Sequence, residues 1–408
     1  MQIQGKELRY KTAEFYLFTS LLKTTTNACL ALCLMLACIT KSLAAEAWLE
    51  DYARYVKREA IKYNVPGYAF VYYQQGETPK VYVFGRTHKG GEYIDGDTVF
   101  RLASVSKSFT SLLMAKLVQQ EKMRWDMPIS ELIPQIPFTG KGMDKLQLKH
   151  IVSQSSGFMP NAYDNLIEAD YSLERVLQQL AVLEPLCAPG DCYTYQNAMF
   201  GAIAYYLGLQ NTSYHRQLDE QVFTPLGMTT ASAGKAALMA SDSWARPHIA
   251  IARDKWREGM VESNYYRFSP AAGVNASIKD MTIYLQAMLG EFPTVVPPEL
   301  IEDITTPVVK TSREVYRRGW RQHLNSAYYG KGWRIYDFDG KTLNYHSGWV
   351  KGYRADVAFS PDYKAGYVML MNAESNMINS TTAEFWERYF KQADEKRAAE
   401  AKTATVAP

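Results

Sequence analysis

The chain has 408 residues and carries 45 basic against 42 acidic side chains, a formal net charge of +3, with an ordinary composition apart from 29 tyrosines. A chain of this length can bury a large core, as one big domain or two closely joined ones. So balanced a charge, with no basic stripe along the sequence, argues against nucleic acid as a partner.

Residues 1–45 have the pattern of an export leader. Lys6, Arg9, Lys11 and Lys23 form a basic start, Ala28–Ile39 an apolar segment, and Ser42-Leu43-Ala44 places small residues for cleavage. The apolar segment is short for a bilayer span. A membrane link is therefore expected only through an N-terminal anchor left uncleaved, and the mature protein is expected to be periplasmic or secreted. Cysteine usage agrees: Cys29, Cys33 and Cys38 leave with the leader, and Cys187 and Cys192 remain, flanking Ala-Pro-Gly-Asp. An even pair around a Pro-Gly turn in an exported protein reads as a small-loop disulfide. Closing so short a loop removes little chain entropy, so its expected use is to stiffen the segment leading to Tyr195. The six histidines are scattered without zinc spacing, and no metal or other cofactor is expected.

After the leader, Glu46–Tyr63 has Trp48, Tyr52, Val56 and Ala60 at steps of four, an amphipathic helix. Strand-like runs follow at Tyr68–Tyr73 and Val81–Phe84, joined by a turn through Gly76 and Pro79. Residues from about 105 to 320 read as mostly helical, with loops at Pro134–Gly142, Cys187–Cys192 and Pro293–Pro298. Strand signals return at Trp333–Phe338, Leu343–His346, Ala355–Phe359 and Gly366–Met371, before an amphipathic helix at Thr381–Lys391. The Ala/Lys/Glu-rich end, residues 391–408, has no apolar periodicity and is expected to be disordered. Strands at both ends of the chain must pair to hide their edges. The expected fold is therefore α/β: one antiparallel sheet from residues 46–103 and 321–390, flanked by the terminal helices, with a mostly helical insert from about 104 to 320. Residues 46–390 would form the whole domain.

Three short peptides carry the chemistry, in this order: Ser104-Val105-Ser106-Lys107, Tyr195-Gln196-Asn197 and His346-Ser347-Gly348. Each is unspecific alone, since Ser-x-x-Lys recurs at Ser20–Lys23 and Ser232–Lys235, and Tyr-x-Asn at Tyr163–Asn165. Ser20 lies in the leader, and Gly234 makes Ser232 a poor helix start. Ser104 instead opens a run with Phe109, Leu112, Leu113 and Leu117 at helical spacing. Residues i and i+3 share a helix face, so the Ser104 hydroxyl and the Lys107 amine can meet. Free N–H groups at a helix start also suit an oxyanion. An isolated Ser-x-x-Lys would more often mark a helix cap; the two partner motifs point to a nucleophile with its amine, a phenol beside an amide, and a polar strand ending in glycine.

This pattern resembles the class C β-lactamase and DD-peptidase family of penicillin-recognising serine hydrolases, from about residue 47 to 390. Further family-like stretches are Asp97–Arg101, Ile151–Gly157, Pro189-Gly190, Tyr329–Trp333 and Ala358–Asp362. The resemblance implies an α/β domain with an inserted all-α domain. It makes Ser104 the nucleophile, Lys107 its proton partner, Tyr195 the general base and Asn197 a donor to the substrate amide. His346, Ser347 and Gly348 would line the cleft, with the Trp349 N–H joining that of Ser104 as an oxyanion pair. An ordinary tyrosine, with a pKa of about 10, needs a nearby cation to act as a base, and Lys107 is the candidate. One departure stands out. β-Lactamases of this class usually carry Lys-Thr-Gly where this chain has His-Ser-Gly, and a neutral histidine binds a substrate carboxylate less strongly than lysine.

The implied function is hydrolysis of an amide or ester through an acyl-enzyme, on a small-molecule or peptidoglycan-type substrate such as a D-amino-acid peptide or a β-lactam. A carboxylesterase on the same machinery and a non-catalytic, penicillin-binding-like scaffold stay open. A Gly-x-Ser-x-Gly elbow is absent from the sequence. For the missing lysine charge, Arg334 and Arg354 are the candidates. Arg334 is preferred, since Trp333 and Ile335 alternate with it and should take the buried face, leaving its guanidinium free to swing to the cleft mouth.

Overall fold

The computed structural model describes residues 47–406, with side chains to 402. The expected leader and Ser20–Lys23 lie outside the described residues. Of these residues, 47–56 with 388–406 form one compact unit and 57–387 another. In the first unit, the start of helix α1 (residues 47–62) meets the C-terminal helix Met377–Val406. The Trp48 and Tyr389 rings lie 6.1 Å apart, and Arg388 Nη1 donates to Asp51 Oδ2 at 3.0 Å. That helix corrects one expectation. Residues 391–406 continue it where a disordered tail was expected. Alanine, lysine and glutamate are strong helix formers, and a helix extending a packed one needs no new nucleus.

In the second unit the strands are, in chain order, β1 (Gly67–Gln74), β2 (Lys80–Gly85), β3 (Val99–Arg101), β4 (Ser232–Ala233), β5 (His248–Ala252), β6 (Lys255–Glu258), β7 (Val274–Ser277), β8 (Val309–Lys310), β9 (Leu324–Tyr329), β10 (Arg334–Phe338), β11 (Lys341–Val350), β12 (Tyr353–Ser360) and β13 (Ala365–Met371). The main sheet has eight strands in the order β2-β1-β13-β12-β11-β10-β9-β8, and every pair is antiparallel. Chain ends close it: β1 pairs with β13, Tyr68 opposite Met371. Central β12 and β13 are buried along their whole length, β13 as a near-continuous apolar run, while edge strand β2 alternates exposed and half-buried residues. From the C-terminal helix, Phe385 stacks on Tyr367 of the sheet at 4.3 Å, and Thr382 Oγ1 donates to the buried Asp356 at 2.8 Å.

The intervening segment is largely helical, as expected, with short strands besides. It adds a small sheet, β3-β7-β4, and the hairpin β5-β6. These strands have two to five residues each, too short for a period of two to register in sequence. Strand β9 was likewise not anticipated. Among the described residues no helix is long and apolar enough to cross a membrane.

The small sheet fixes the reactive turn. Beyond β3 the chain forms a 3-10 turn, Ala103–Val105, then helix α2 (Ser106–Gln119). Val274 of β7 clamps this turn from both sides: its carbonyl accepts from Leu102 N at 3.0 Å, and its N–H donates to Ser106 Oγ at 2.9 Å. Ala103 is held at φ +51°, a left-handed conformation rare for a side-chain-bearing residue. Gly348 of β11 passes directly beneath, where a Cβ would sit 2.1 Å from the Leu102 carbonyl oxygen. Only glycine fits this crossing. Gly348→Ala is therefore expected to cost about 1–3 kcal/mol, the range for overpacking, and to lower the melting temperature by several degrees. A melting curve matching wild type would show that the turn can yield.

Candidate active site

The Ser104 hydroxyl lies at the base of a 960 Å³ cavity whose wall includes Tyr195, Asn197, Arg334, Ser347 and Trp349. Lys107 is the hub beneath it. Fully buried one turn along from Ser104, its Nζ donates to Ser104 Oγ at 3.3 Å, to Asn197 Oδ1 at 2.7 Å and to the Ala271 carbonyl at 3.0 Å. It also lies 4.8 Å from the centre of the Tyr195 ring. Burial lowers the Lys107 pKa, and the Tyr195 phenol and the Asp164 carboxylate push it back up. No capping bond from the Ser104 hydroxyl closes either the 3-10 turn or α2. Serine, lysine, tyrosine and asparagine from positions far apart in the chain thus converge on one point.

Tyr195 and Asn197 lie in an irregular segment that a second loop clamps. Gln154, at φ +57° in the Ser153–Gly157 stretch, accepts from Gln196 N at 2.6 Å and donates to the Gln196 carbonyl at 3.2 Å, while its own carbonyl accepts from Thr194 N at 2.7 Å. The Cys187–Cys192 disulfide braces that loop. Gly190 N donates to the Ser155 carbonyl and Leu186 N to the Gly157 carbonyl, each at 2.8 Å, and a Cβ on Gly157 would stand 2.2 Å from the Cys187 carbonyl.

The opposite wall is an open strand edge. The ladder between β10 and β11 runs from Lys341 to Tyr345, whereas the ladder with β12 continues to Val350. Residues 346–350 therefore have no strand partner on the β10 side among the described residues. Ser347 and Trp349 of this stretch face the cavity. His346 does not, which corrects its expected place in the cleft. It is fully buried, its Nδ1 lies 2.9 Å from the Ser347 carbonyl and its Nε2 lies 3.0 Å from the Tyr329 hydroxyl. Nδ1 facing a carbonyl carries the proton, so Nε2 is an acceptor. Burial, with Arg334 and Lys107 nearby, holds the His346 pKa well below 6.5 and keeps the ring neutral. Gly348 too lies off the cavity wall; it admits the Ser104 turn.

Arg334 lines the cavity, yet not as a solvated arm. It is 8% exposed because β10 is an inner strand covered on both faces, so both Arg334 and its neighbours Trp333 and Ile335 are buried. Its Nε lies 3.4 Å from Glu314 Oε1, its Nη1 lies 3.5 Å from His346 Nε2, and its guanidinium sits 5.4 Å from the Tyr195 ring centre. Burial pulls the Arg334 pKa down, but Glu314 together with Tyr193, Tyr336 and Tyr195 raises it overall, leaving a permanent cation beside the phenol. Arg354 is held by Asn376 and Asn379 at 3.3 Å each, away from the cavity wall. Of the two alternative Ser-x-x-Lys and Tyr-x-Asn matches within the described residues, Ser232 is on β4 and Lys235 beyond the Gly234 turn, off any shared helix face. The Tyr163–Asn165 match is less idle: its middle residue, Asp164, accepts from Asn197 Nδ2 at 2.8 Å. Nothing in its local sequence signalled this, nor the role of Glu314, whereas Tyr329 opens the Tyr329–Trp333 stretch already noted. Gln154 lay within a stretch already singled out.

A serine and a lysine one turn apart, beneath a phenol and an amide and beside an open sheet edge, form the constellation of the penicillin-recognising serine hydrolase superfamily. The chain belongs to the beta-lactamase family, whose profile matches residues 41–385. It is 23% identical over 347 residues to a beta-lactamase of Yersinia enterocolitica, covering 76% of this chain and 83% of that protein. Against a beta-lactamase of Escherichia coli K12 the identity is 24%, over 76% of this chain and 84% of the relative. With the unguisins hydrolase ungD' of Aspergillus campestris it is 21%, over 85% and 65%. Among solved structures, the octameric penicillin-binding protein homologue from Pyrococcus abyssi shares the fold, with a TM-score of 0.71 at 20% identity over 82% of this chain and 76% of that one.

Ser106 separates structure from chemistry. Its hydroxyl faces Val274 N, away from Lys107. Ser106→Ala leaves a buried N–H unpaired, at about 1–3 kcal/mol, so melting should fall while covalent labelling of Ser104 by a fluorescent penicillin or p-nitrophenyl acetate persists in the folded fraction. Loss of labelling at full stability would make Ser106 part of the reaction.

Proposed function

We propose that the chain is an exported serine hydrolase that forms an acyl-enzyme on Ser104 from an amide or ester, such as a D-amino-acid peptide or a β-lactam. One observation carries this reading: the Lys107 amine stands 3.3 Å from the Ser104 hydroxyl inside a cavity that also presents Tyr195 and Asn197. In the first step the Ser104 O–H proton passes to the phenolate oxygen of Tyr195, an Oγ–acyl bond forms, and the carbonyl π electrons move onto oxygen. Collapse breaks the bond to the leaving group, which departs with the proton held on Tyr195. Water repeats the sequence on the ester and frees Ser104. Lys107 and Arg334 stand 4.8 and 5.4 Å from the Tyr195 ring centre, close enough to interact with charge that develops on its oxygen. The N–H groups of Ser104 and Trp349 serve the oxyanion. Hydrolases among the relatives support the reaction type, and the leader-like sequence pattern of residues 1–45 together with the disulfide supports a periplasmic or secreted site of action.

Ser104→Ala should abolish covalent labelling, and Tyr195→Phe should keep the fold while cutting turnover by roughly 10²–10⁴, the range for losing a general acid–base. Labelling of the alanine variant at the wild-type level, seen by mass spectrometry, would remove Ser104 from the reaction.

A carboxylesterase is the second reading, favoured by the neutral, buried His346 where a lysine would bind a carboxylate. Arg334 decides between substrates. If it reads a carboxylate, Arg334→Ala raises KM about tenfold or more for a carboxylate-bearing substrate and barely changes that of a neutral ester. Equal effects on both would confine it to supporting Tyr195 and Glu314.

A further inference from the structure

Asp164 is a carboxylate with no place in the reaction as described, yet it touches the reactive network directly. Its helix, Asp164–Glu168, follows Tyr163 at φ +63° and is tied down at both ends. At the start, Asn161 N donates to the Tyr195 carbonyl at 2.8 Å. At the end, Arg267 donates to the Ile167 carbonyl at 3.0 Å and to Asp170 at 2.7 Å. Asp164 is thus carried on a segment bonded to the Tyr195 backbone, and it lines the cavity beside Asn197.

The hydrogen bonds run in one direction. Lys107 can only donate, and it donates to Asn197 Oδ1 at 2.7 Å; an ionised Asp164 can only accept, and it accepts from Asn197 Nδ2 at 2.8 Å. These two neighbours fix the amide plane and forbid its flipped form, in which Lys107 would face an NH2 group and Asp164 a carbonyl. One N–H of Asn197 is then committed to Asp164, and the second is left for a ligand. The chain also links two charges through a single amide, Asp164 favouring the ammonium form of Lys107.

We propose that Asp164 is a positioning residue for acyl transfer, holding the Asn197 amide so that its carbonyl engages Lys107 and its remaining N–H serves the substrate. The proposal rests on the acyl-enzyme reading above. The group is also poised to titrate. Burial raises the Asp164 pKa to about 6, against the pull of Asn197, Lys107 and the Tyr265 hydroxyl, and Glu168 adds to the rise. Its second oxygen, Oδ1, is buried without a hydrogen-bond partner, so part of its lost hydration is not replaced. Lys107, Tyr265 and Glu168 are the titratable groups that act on it, and Tyr195 in turn acts on Tyr265. As pH falls through about 6, Asp164 gains a proton, and its bond to Asn197 loses the charge assistance that roughly doubles such a bond's strength.

The test uses the full chain with Asp164→Asn and Asp164→Ala, reading acylation by a fluorescent penicillin and turnover of p-nitrophenyl acetate from pH 5 to pH 8. At pH 8 the asparagine variant should acylate about tenfold more slowly than wild type, and the alanine variant about a hundredfold, the scale of a misplaced catalytic group. Wild-type activity should fall with a midpoint near pH 6 toward the asparagine variant's level, and that variant should show no such limb. Melting curves of both variants confirm that they are folded. Asp164 variants that label Ser104 at the wild-type rate with the wild-type pH profile overturn the proposal alone. A wild type in which neither probe labels Ser104 overturns the acyl-enzyme reading and the proposal with it.

Discussion

The structure turns on a lysine ammonium placed where water cannot reach it. Lys107 has no solvent exposure, and an isolated charge in such a place is costly unless it is hydrogen-bonded and near opposite charge. Three acceptors meet it: the Ser104 hydroxyl, the Asn197 amide and the Ala271 carbonyl. Each comes from a separate part of the chain. Satisfying one buried cation therefore requires that the nucleophile turn, the Tyr195 segment and the stretch before β7 all be in place together. The same low-polarity surroundings strengthen every electrostatic contact around the serine.

A second cation is arranged in the same way. Arg334, from the sheet, is buried with Glu314 and lies 5.4 Å from the Tyr195 ring centre, and Lys107, from the nucleophile helix, lies 4.8 Å from it. The phenol thus has two basic groups close by that are fixed by packing rather than free in solvent, so little reorganisation is needed as charge develops on its oxygen. Burial first, then the positive charges of Arg334 and Lys107, keeps His346 neutral.

Backbone crossings set the tolerances. The Ser104 turn rests on Gly348, where a Cβ would stand 2.1 Å from a carbonyl oxygen, and the Lys107 carbonyl rests on Gly332, where a Cβ would stand 2.5 Å away. Both glycines lie in stretches that stand out in the sequence, and both mark places where sheet and helix touch without side chains between them. Sites held by such rigid elements keep their groups placed even where individual segments, such as that of Tyr195, lack regular structure.

Much of this was legible in the residues alone. Strand-like runs of apolar, aromatic and β-branched residues marked β1, β2, β10, β12 and β13, whereas β4 and β7, with two and four residues, are too short to leave a pattern. The spacing of Ser104 and Lys107 followed from helical geometry, a local property. What only the tertiary structure decided was burial and partnership between residues far apart in the chain. Whether Arg334 is a solvated arm or a buried cation depends on β10 being an inner strand. Whether His346 faces the cleft depends on which side of β11 its backbone turns, with Tyr329 waiting behind it. Asp164, in what reads as a chance Tyr-x-Asn match, reaches Asn197 only because a loop bonded to the Tyr195 backbone carries it there. Sequence determines local conformation and the chemical groups available; which charges are taken out of water, and beside which neighbours, is a property of packing.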